Sequence, residues 1–311
     1  MKHDIRSSLV LTLYSLAAAL ATCLLQTGCG PSSSGGGGTA GSGATIQVKG
    51  SDTMVNLAQA WAEEYKKVAP DVDVEVSGGG SGVGIAALEK GTIDIADASR
   101  NMKPEEMETA KKNTGKDPKE FIVGYDALAI YVNKANPLNE ITLDQIAQIY
   151  REGGNLTKWT DLGVQIPGTS DQNIVRVSRQ SSSGTYEFLR EHVLHNKDYK
   201  LGSSDMNGSK EVVELVSSTP TAIGYSGMGY ATPAVKMLKV KKTANDPAYE
   251  PSVANTLAKT YPIARSLQVY TLGEPQGAVK KYIEWMMSDA GQKVVEASGY
   301  VPLAAEARSK P

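Results

Sequence analysis

From Thr45 onward, short β-rich runs alternate with helical patterns, and this alternation restricts the possible folds more than any other feature of the chain. The runs are Thr45 to Lys49, Val72 to Val76 (VDVEV, strictly alternating), Ile93 to Ile95, Leu128 to Val132 and Ile174 to Val177. Between them lie amphipathic stretches. Leu57, Trp61 and Tyr65, with Ala58 and Ala62 beside them, share one face of a 3.6-residue repeat, and Ile85 and Leu88 repeat the pattern. Strand and helix in alternation predict an α/β protein, with right-handed crossovers that put helices on both faces of each sheet.

The first 44 of the 311 residues do not fit this pattern. Lys2 and Arg6 precede an apolar run from Leu9 to Leu25, which ends at the small residues Thr27 and Gly28 before Cys29. This reads as an export signal over residues 1–28, similar to a bacterial lipoprotein signal, with Cys29 as the residue that receives lipid. Leu20-Ala21-Thr22-Cys23 offers a second frame. An uncleaved anchor is the alternative, because an apolar run of roughly 17 residues sits at the short limit for spanning a bilayer. Residues 29–44, rich in Gly and Ser, read as a flexible tether with a reach of about 20 Å. Either reading puts the folded part outside the cytoplasm, on the periplasmic or extracellular face of a membrane.

About 265 residues remain to fold, enough for two medium domains or one large one. Both cysteines, Cys23 and Cys29, fall in the leader, so the folded part has no disulfide and no thiolate metal site. A net charge of −2 gives no basic footprint for nucleic acid.

One local pattern occurs three times: an extended segment, a turn of Gly, Ser and Thr, then a helical pattern. The turns lie in Val48 to Met54 (VKGSDTM), Val76 to Val83 (VSGGGSGV) and Val177 to Thr185 (VSRQSSSGT). Each puts a helix N-terminus at the carboxyl end of a strand, where unpaired N–H groups and the helix dipole favour an anion. Ser and Thr are also ordinary N-caps, so one such turn carries little meaning; three point to one pocket. Arg179 ahead of the third turn and Arg100 after Ser99 can each offer a bidentate fork to a tetrahedral oxyanion, while an ion pair on the protein is the plainer role for either. Many neutral donors and few charges describe a desolvated pocket that works by hydrogen bonds.

These residues resemble the phosphate-binding (PstS) family of bacterial phosphate ABC transporters, from Ile46 to the C-terminus. The similarity rests on Arg179-x-x-x-Ser183-Gly184-Thr185, the turn at Gly50 to Thr53, and Gly80-Ser81. Gly124 to Ala129, Leu143 to Trp159, Ile223-Gly224-Tyr225 and Tyr261 to Arg265 support it. The resemblance implies a two-lobed periplasmic-binding-protein fold of type II with the ligand in the interlobe cleft. One lobe would comprise residues 45–126 plus 266–311 and the other residues 127–265. It also implies a monomeric binder that delivers phosphate to ABC permease subunits, without cofactor, metal or catalysis. The ligand set carried over is Ser51, Asp52, Thr53, Met54 through its backbone, Ser81, Ser99, Arg100, Arg179, Ser183, Gly184 and Thr185. Ser99 stands where some family members have an aspartate that accepts the proton of hydrogen phosphate. Asp52 is the first candidate to replace that carboxylate, ahead of Asp97 and Asp94.

Two rival functions remain at this stage. A binder or sensor of sulfate, molybdate or tungstate would use the same fold. A serine hydrolase would need a nucleophile elbow, but Val83 and Met228 stand where Ser81 and Ser226 would require glycine.

Overall fold

The computed structural model describes residues 43–308, so the signal segment, Cys23, Cys29 and nearly all of the tether lie outside the described residues. Eleven strands follow the chain: β1 (Ala44–Gly50), β2 (Val72–Ser77), β3 (Ile95–Ala98), β4 (Pro118–Asn133), β5 (Glu140–Thr142), β6 (Val175–Arg179), β7 (Ser204–Met206), β8 (Ala222–Gly227), β9 (Val235–Met237), β10 (Lys239–Lys241) and β11 (Ala264–Leu272). The helices around the site are α1 (Val55–Val68), α2 (Ser81–Glu89), α3 (Pro104–Thr114), α4 (Leu143–Tyr150), α5 (Gly184–His192) and α6 (Ser209–Ser218).

Nine strands form one sheet in the order β2-β1-β3-β11-β4-β8-β6-β7, with β9 also paired to β4, and β5 pairs with β10 separately. The β1–β2 and β1–β3 pairs are parallel, as right-handed crossovers through α1 and α2 require. The β6–β7 and β6–β8 pairs are parallel as well. Between these two parallel groups, β4 and β11 run antiparallel to each other. β4 is long enough to serve both groups: Pro118 to Ala127 pair with β11, and Leu128 to Val132 pair with β8.

Separate apolar clusters hold these groups. Ile46, Val48, Leu57, Trp61 and Tyr65 pack with Leu267, Val269, Tyr282 and Ile283. Ile85 and Leu88 of α2 pack on Ala96, Ala98 and Tyr270. Leu128 to Val132 pack with Ile146, Val177, Leu189, Val212 and Ile223. The α1 face anticipated from the repeat is the buried one, with Leu57, Ala58, Trp61 and Tyr65 inside. The third strand begins at Ile95 rather than Ile93, because its pairing with β1 starts there and carries Asp97 into the interior.

Candidate functional site

The three turns meet. α2 starts at Ser81 and α5 at Gly184, each directly after its strand and turn. α1 starts one turn later, at Val55, because Asp52 to Met54 form a tight turn in which the Met54 N–H donates to the Ser51 carbonyl at 2.9 Å. The Met54 backbone donor is thus taken up within the turn.

The second turn is tied to both others. The Gly79 N–H donates to Asp52 Oδ1 at 2.8 Å and the Gly80 N–H to the Gly50 carbonyl at 2.9 Å. Toward the third turn, the Gly82 N–H donates to the Ser182 carbonyl at 2.9 Å, and Ser182 Oγ donates to the Gly79 carbonyl at 3.0 Å. Gly80 has a φ of +98°, and a Cβ on it would stand 2.5 Å from the Ser182 carbonyl oxygen, so only glycine permits the approach.

Inside this frame lies a knot of buried hydroxyls. Ser51 Oγ donates to Ser99 Oγ at 2.8 Å, and the Ser99 N–H donates to Ser81 Oγ at 3.1 Å. Thr53 and Thr185 share a hydrogen bond of 2.7 Å between their Oγ1 atoms. Ser183 caps α5 by accepting from the Thr185 and Tyr186 N–H groups. The first-turn N–H groups of Ser81 and Gly184 donate to no protein acceptor among the described residues. Donors of this kind, at two helix N-termini beside a cluster of hydroxyls, suit an anion.

Arg179 and Arg100 behave differently. Arg179 is fully buried and donates to Ser209 Oγ at 3.0 Å, to the Asn207 carbonyl at 3.2 Å and to Asp52 Oδ2 at 3.2 Å. Its Nε has no hydrogen-bond partner among the described residues. Arg100 instead turns its fork onto Glu106, with bonds of 2.8 and 2.7 Å, and adds one to the Asn101 carbonyl. The structure therefore places Ser51, Asp52, Thr53, Ser81, Ser99, Arg179, Ser183, Gly184 and Thr185 together, and directs Arg100 toward α3.

Sequence reasoning missed Arg265, Asp126 and Ser209. Arg265 Nε and Nη2 both donate to Asp126 Oδ2, at 3.0 and 2.8 Å, and Nη2 also reaches Thr185 Oγ1 at 3.0 Å. The available signal was a lone charge inside each of two strand-forming runs, Asp126 before ALAIYV and Arg265 before SLQVY. A charge at such a position is buried and needs a partner. Ser209 opens α6 and carried no local mark.

Burial raises the Asp52 carboxyl above the ordinary carboxylate value, while the Gly79 N–H and the Arg179 guanidinium pull it back. Burial likewise raises Asp126 against the pull of Arg265. Burial lowers the Arg179 guanidinium, and Asp52 opposes that shift. The two arginine–aspartate pairs thus bring donors into the interior with little net charge. A groove of about 550 Å³ around Lys119, Phe121 and Lys280 contains none of these residues. A cavity of about 430 Å³ does open beside Arg265, Phe188 and Gln268.

Residues 35–290 match the PBP superfamily domain. The phosphate-binding protein PstS of Pseudomonas aeruginosa is 35% identical over 272 residues, covering 84% of this chain and 84% of that protein. The chain belongs to the PstS family. A further relative within the match is protein SphX of Synechococcus elongatus, 33% identical over 85% of this chain and 79% of its own length. Among solved structures, a putative phosphate ABC transporter substrate-binding protein from Clostridium perfringens with bound phosphate superimposes with a TM-score of 0.73. It is 29% identical, and the match covers 84% of this chain and all of that one. An ABC-type phosphate transport receptor from Vibrio cholerae gives a TM-score of 0.65 at 28% identity, over 83% of this chain and all of that one. The fold is that of this solute-binding family, as the strand and helix alternation and the Arg179-to-Thr185 motif led us to expect. Among the described residues, no helix is long and apolar enough to cross a membrane.

Proposed function

We propose that this PstS-family chain captures inorganic phosphate outside the cytoplasm and delivers it to the permease of an ABC importer. The observation that carries this reading is the convergence of the three turns, which joins the Thr53 and Thr185 hydroxyls and leaves the N–H groups of Ser81 and Gly184 without a protein acceptor among the described residues. The names of the relatives supply the anion. Ser51, Thr53, Ser81, Ser99, Ser183, Gly184 and Thr185 act as neutral donors, Arg179 as the charged one, and Asp52 as the acceptor of a phosphate proton. Arg100 supports α3 rather than the ligand.

In this reading Cys29 carries the lipid, residues 29–44 form the leash, and the chain works as a monomer. Residues 45–126 plus 266–311 close on residues 127–265 about β4 and β11, because only closure brings both sets of donors onto the ligand. The protein acts as a carrier and not as an enzyme. Among the described residues, the site hydroxyls bond to one another, to backbone groups and to Arg265, and none bonds to a histidine.

Ser99 favours a second reading, a binder of sulfate or another fully ionised oxyanion, because it brings a hydroxyl where a repelling carboxylate would reject such a ligand. Titration calorimetry with phosphate, sulfate, molybdate and arsenate separates the two. The proposal expects phosphate and arsenate to bind and sulfate to fail; tight sulfate binding without phosphate binding overturns it.

A further inference from the structure

Arg265 and Asp126 face each other across β11 and β4 as direct register partners. Both are buried, and Asp126 Oδ1 also accepts the Met228 N–H at 3.1 Å, so the carboxylate is fixed from two sides. The guanidinium lies 5.4 Å from the Phe188 ring centroid, in contact with its face. Its remaining donors reach three separate pieces of the site. Nη1 donates to the Ser99 carbonyl at 3.2 Å, and Nη2, with one N–H on Asp126, shares the other between Thr185 Oγ1 at 3.0 Å and Thr53 Oγ1 at 3.3 Å.

A guanidinium has donors and no acceptor, whereas a hydroxyl has one proton and two lone pairs. Arg265 therefore occupies a lone pair on each threonine oxygen. The 2.7 Å contact between the two hydroxyls takes one proton and one further lone pair. When an acceptor-rich ligand approaches, both protons can turn to it while Arg265 continues to hold the oxygens. A ligand group that must donate finds only one lone pair left on the two oxygens in the resting arrangement. Asp126 neutralises the guanidinium, so this effect is one of hydrogen-bond polarity and not of added positive charge.

We propose that Arg265, clamped by Asp126, is a positioning residue that fixes the Thr53 and Thr185 hydroxyls as donors to the bound oxyanion. This inference rests on the reading of the site as an oxyanion pocket. It assigns Arg265 an effect that passes entirely through two other side chains, and a thermodynamic cycle detects such dependence.

The test uses the full chain and titration with inorganic phosphate. Four proteins are compared: the unaltered chain, the charge-balanced Arg265→Met/Asp126→Asn variant, the near-isosteric Thr53→Val/Thr185→Val variant, and the combination of all four substitutions. Each pair of substitutions is expected to weaken phosphate binding by about tenfold or more, the effect of losing hydrogen bonds to a charged ligand. The combination is expected to bind no more than about threefold worse than the weaker of the two double variants, whereas a general structural role would multiply the losses.

Multiplied losses, or undiminished binding by a folded Arg265→Met/Asp126→Asn protein, overturn the inference. Arg265→Lys serves as a second probe if the neutral pair does not fold. It keeps a charge for Asp126 but lacks a planar fork able to serve both hydroxyls, and should also lose about tenfold; full affinity in this variant overturns the inference as well. If the unaltered chain binds none of phosphate, sulfate, molybdate and arsenate, the proposed function falls together with it. If phosphate binds normally and the losses multiply, only the role of Arg265 falls.

Discussion

Thr53 and Thr185 are 132 residues apart in the chain, yet their hydroxyl oxygens lie 2.7 Å from each other. Each follows a glycine-and-hydroxyl turn at the carboxyl end of a strand, and each is held from behind by Arg265. The contact closes the first turn against the third. The geometry of the ligand pocket depends on how closely the turns approach.

Gly184 is where that approach is tightest. A Cβ at this position would clash with Ser81 Oγ and lie 2.7 Å from Ser99 Oγ. Gly184→Ala should push α5 away from the hydroxyl cluster and weaken phosphate binding by about a hundredfold. The cost to stability should stay within about 1–3 kcal/mol, the usual range for overpacking. Calorimetry and thermal unfolding of the same sample check both.

Arg179 unites ligand binding and stability. Its side chain is fully buried and paired with Asp52, so Arg179→Ala removes a donor and leaves a partly buried carboxylate alone. We expect phosphate binding to be lost and stability to fall by about 3–5 kcal/mol, as when one partner of a buried pair is removed. Urea unfolding monitored by circular dichroism gives the second number.

Asp52 should set selectivity. Its two oxygens accept one bond each from Gly79 and Arg179, which leaves lone pairs able to receive a proton from hydrogen phosphate. Asp52→Asn keeps an acceptor for the Gly79 N–H and removes the charge that repels sulfate. The ratio of phosphate to sulfate affinity should shrink by about tenfold or more, a charged hydrogen bond being worth about 1.5–3 kcal/mol.

Asp97 gives a pH signature independent of the ligand. It is buried on β3 with no hydrogen-bond partner for its carboxyl among the described residues, and burial pushes that carboxyl up to about 7 from 3.8. The unfolded chain therefore ionises first as pH rises. The stabilising contribution of the protonated acid is complete below about pH 4 and is lost as pH climbs toward about 7. Asp97→Asn should raise stability at pH 8 by about 4 kcal/mol and leave it unchanged at pH 4, measured by denaturant unfolding at both values.

Much of this architecture was legible in the sequence because it is local. The VDVEV alternation, the Leu57-Trp61-Tyr65 face and the strand-turn-helix junctions each depend on residues within a few positions of one another, and the structure has them where the pattern implied. β4 was legible only in its second half. Leu128 to Val132 are a continuous buried apolar run, whereas the first half mixes Lys119 and Glu120 with half-buried positions. β11 interleaves Arg265, Ser266 and Gln268 with its apolar residues and so shows no continuous apolar run, although most of its residues are buried.

The site divides in the same way. The hydroxyl turns declared themselves through helix-start chemistry, which is written in adjacent residues. The Arg265–Asp126 pair depends on register between strands 139 residues apart, and the turning of Arg100 toward Glu106 depends on where α3 packs. A lone charge in a strand-forming run marks Asp126 and Arg265 as residues that need a partner, but no local pattern says that they partner each other or that Arg100 turns to Glu106. Arg100 accordingly matched an anion fork by composition and is an ion-pair residue by geometry.

The central claim is that the three turns enclose one phosphate. Equilibrium dialysis of the purified chain against labelled inorganic phosphate, with and without excess sulfate, tests it most directly. One phosphate should be retained per chain and not displaced by sulfate; failure to retain phosphate, or complete displacement by sulfate, rules out a phosphate pocket at the three turns.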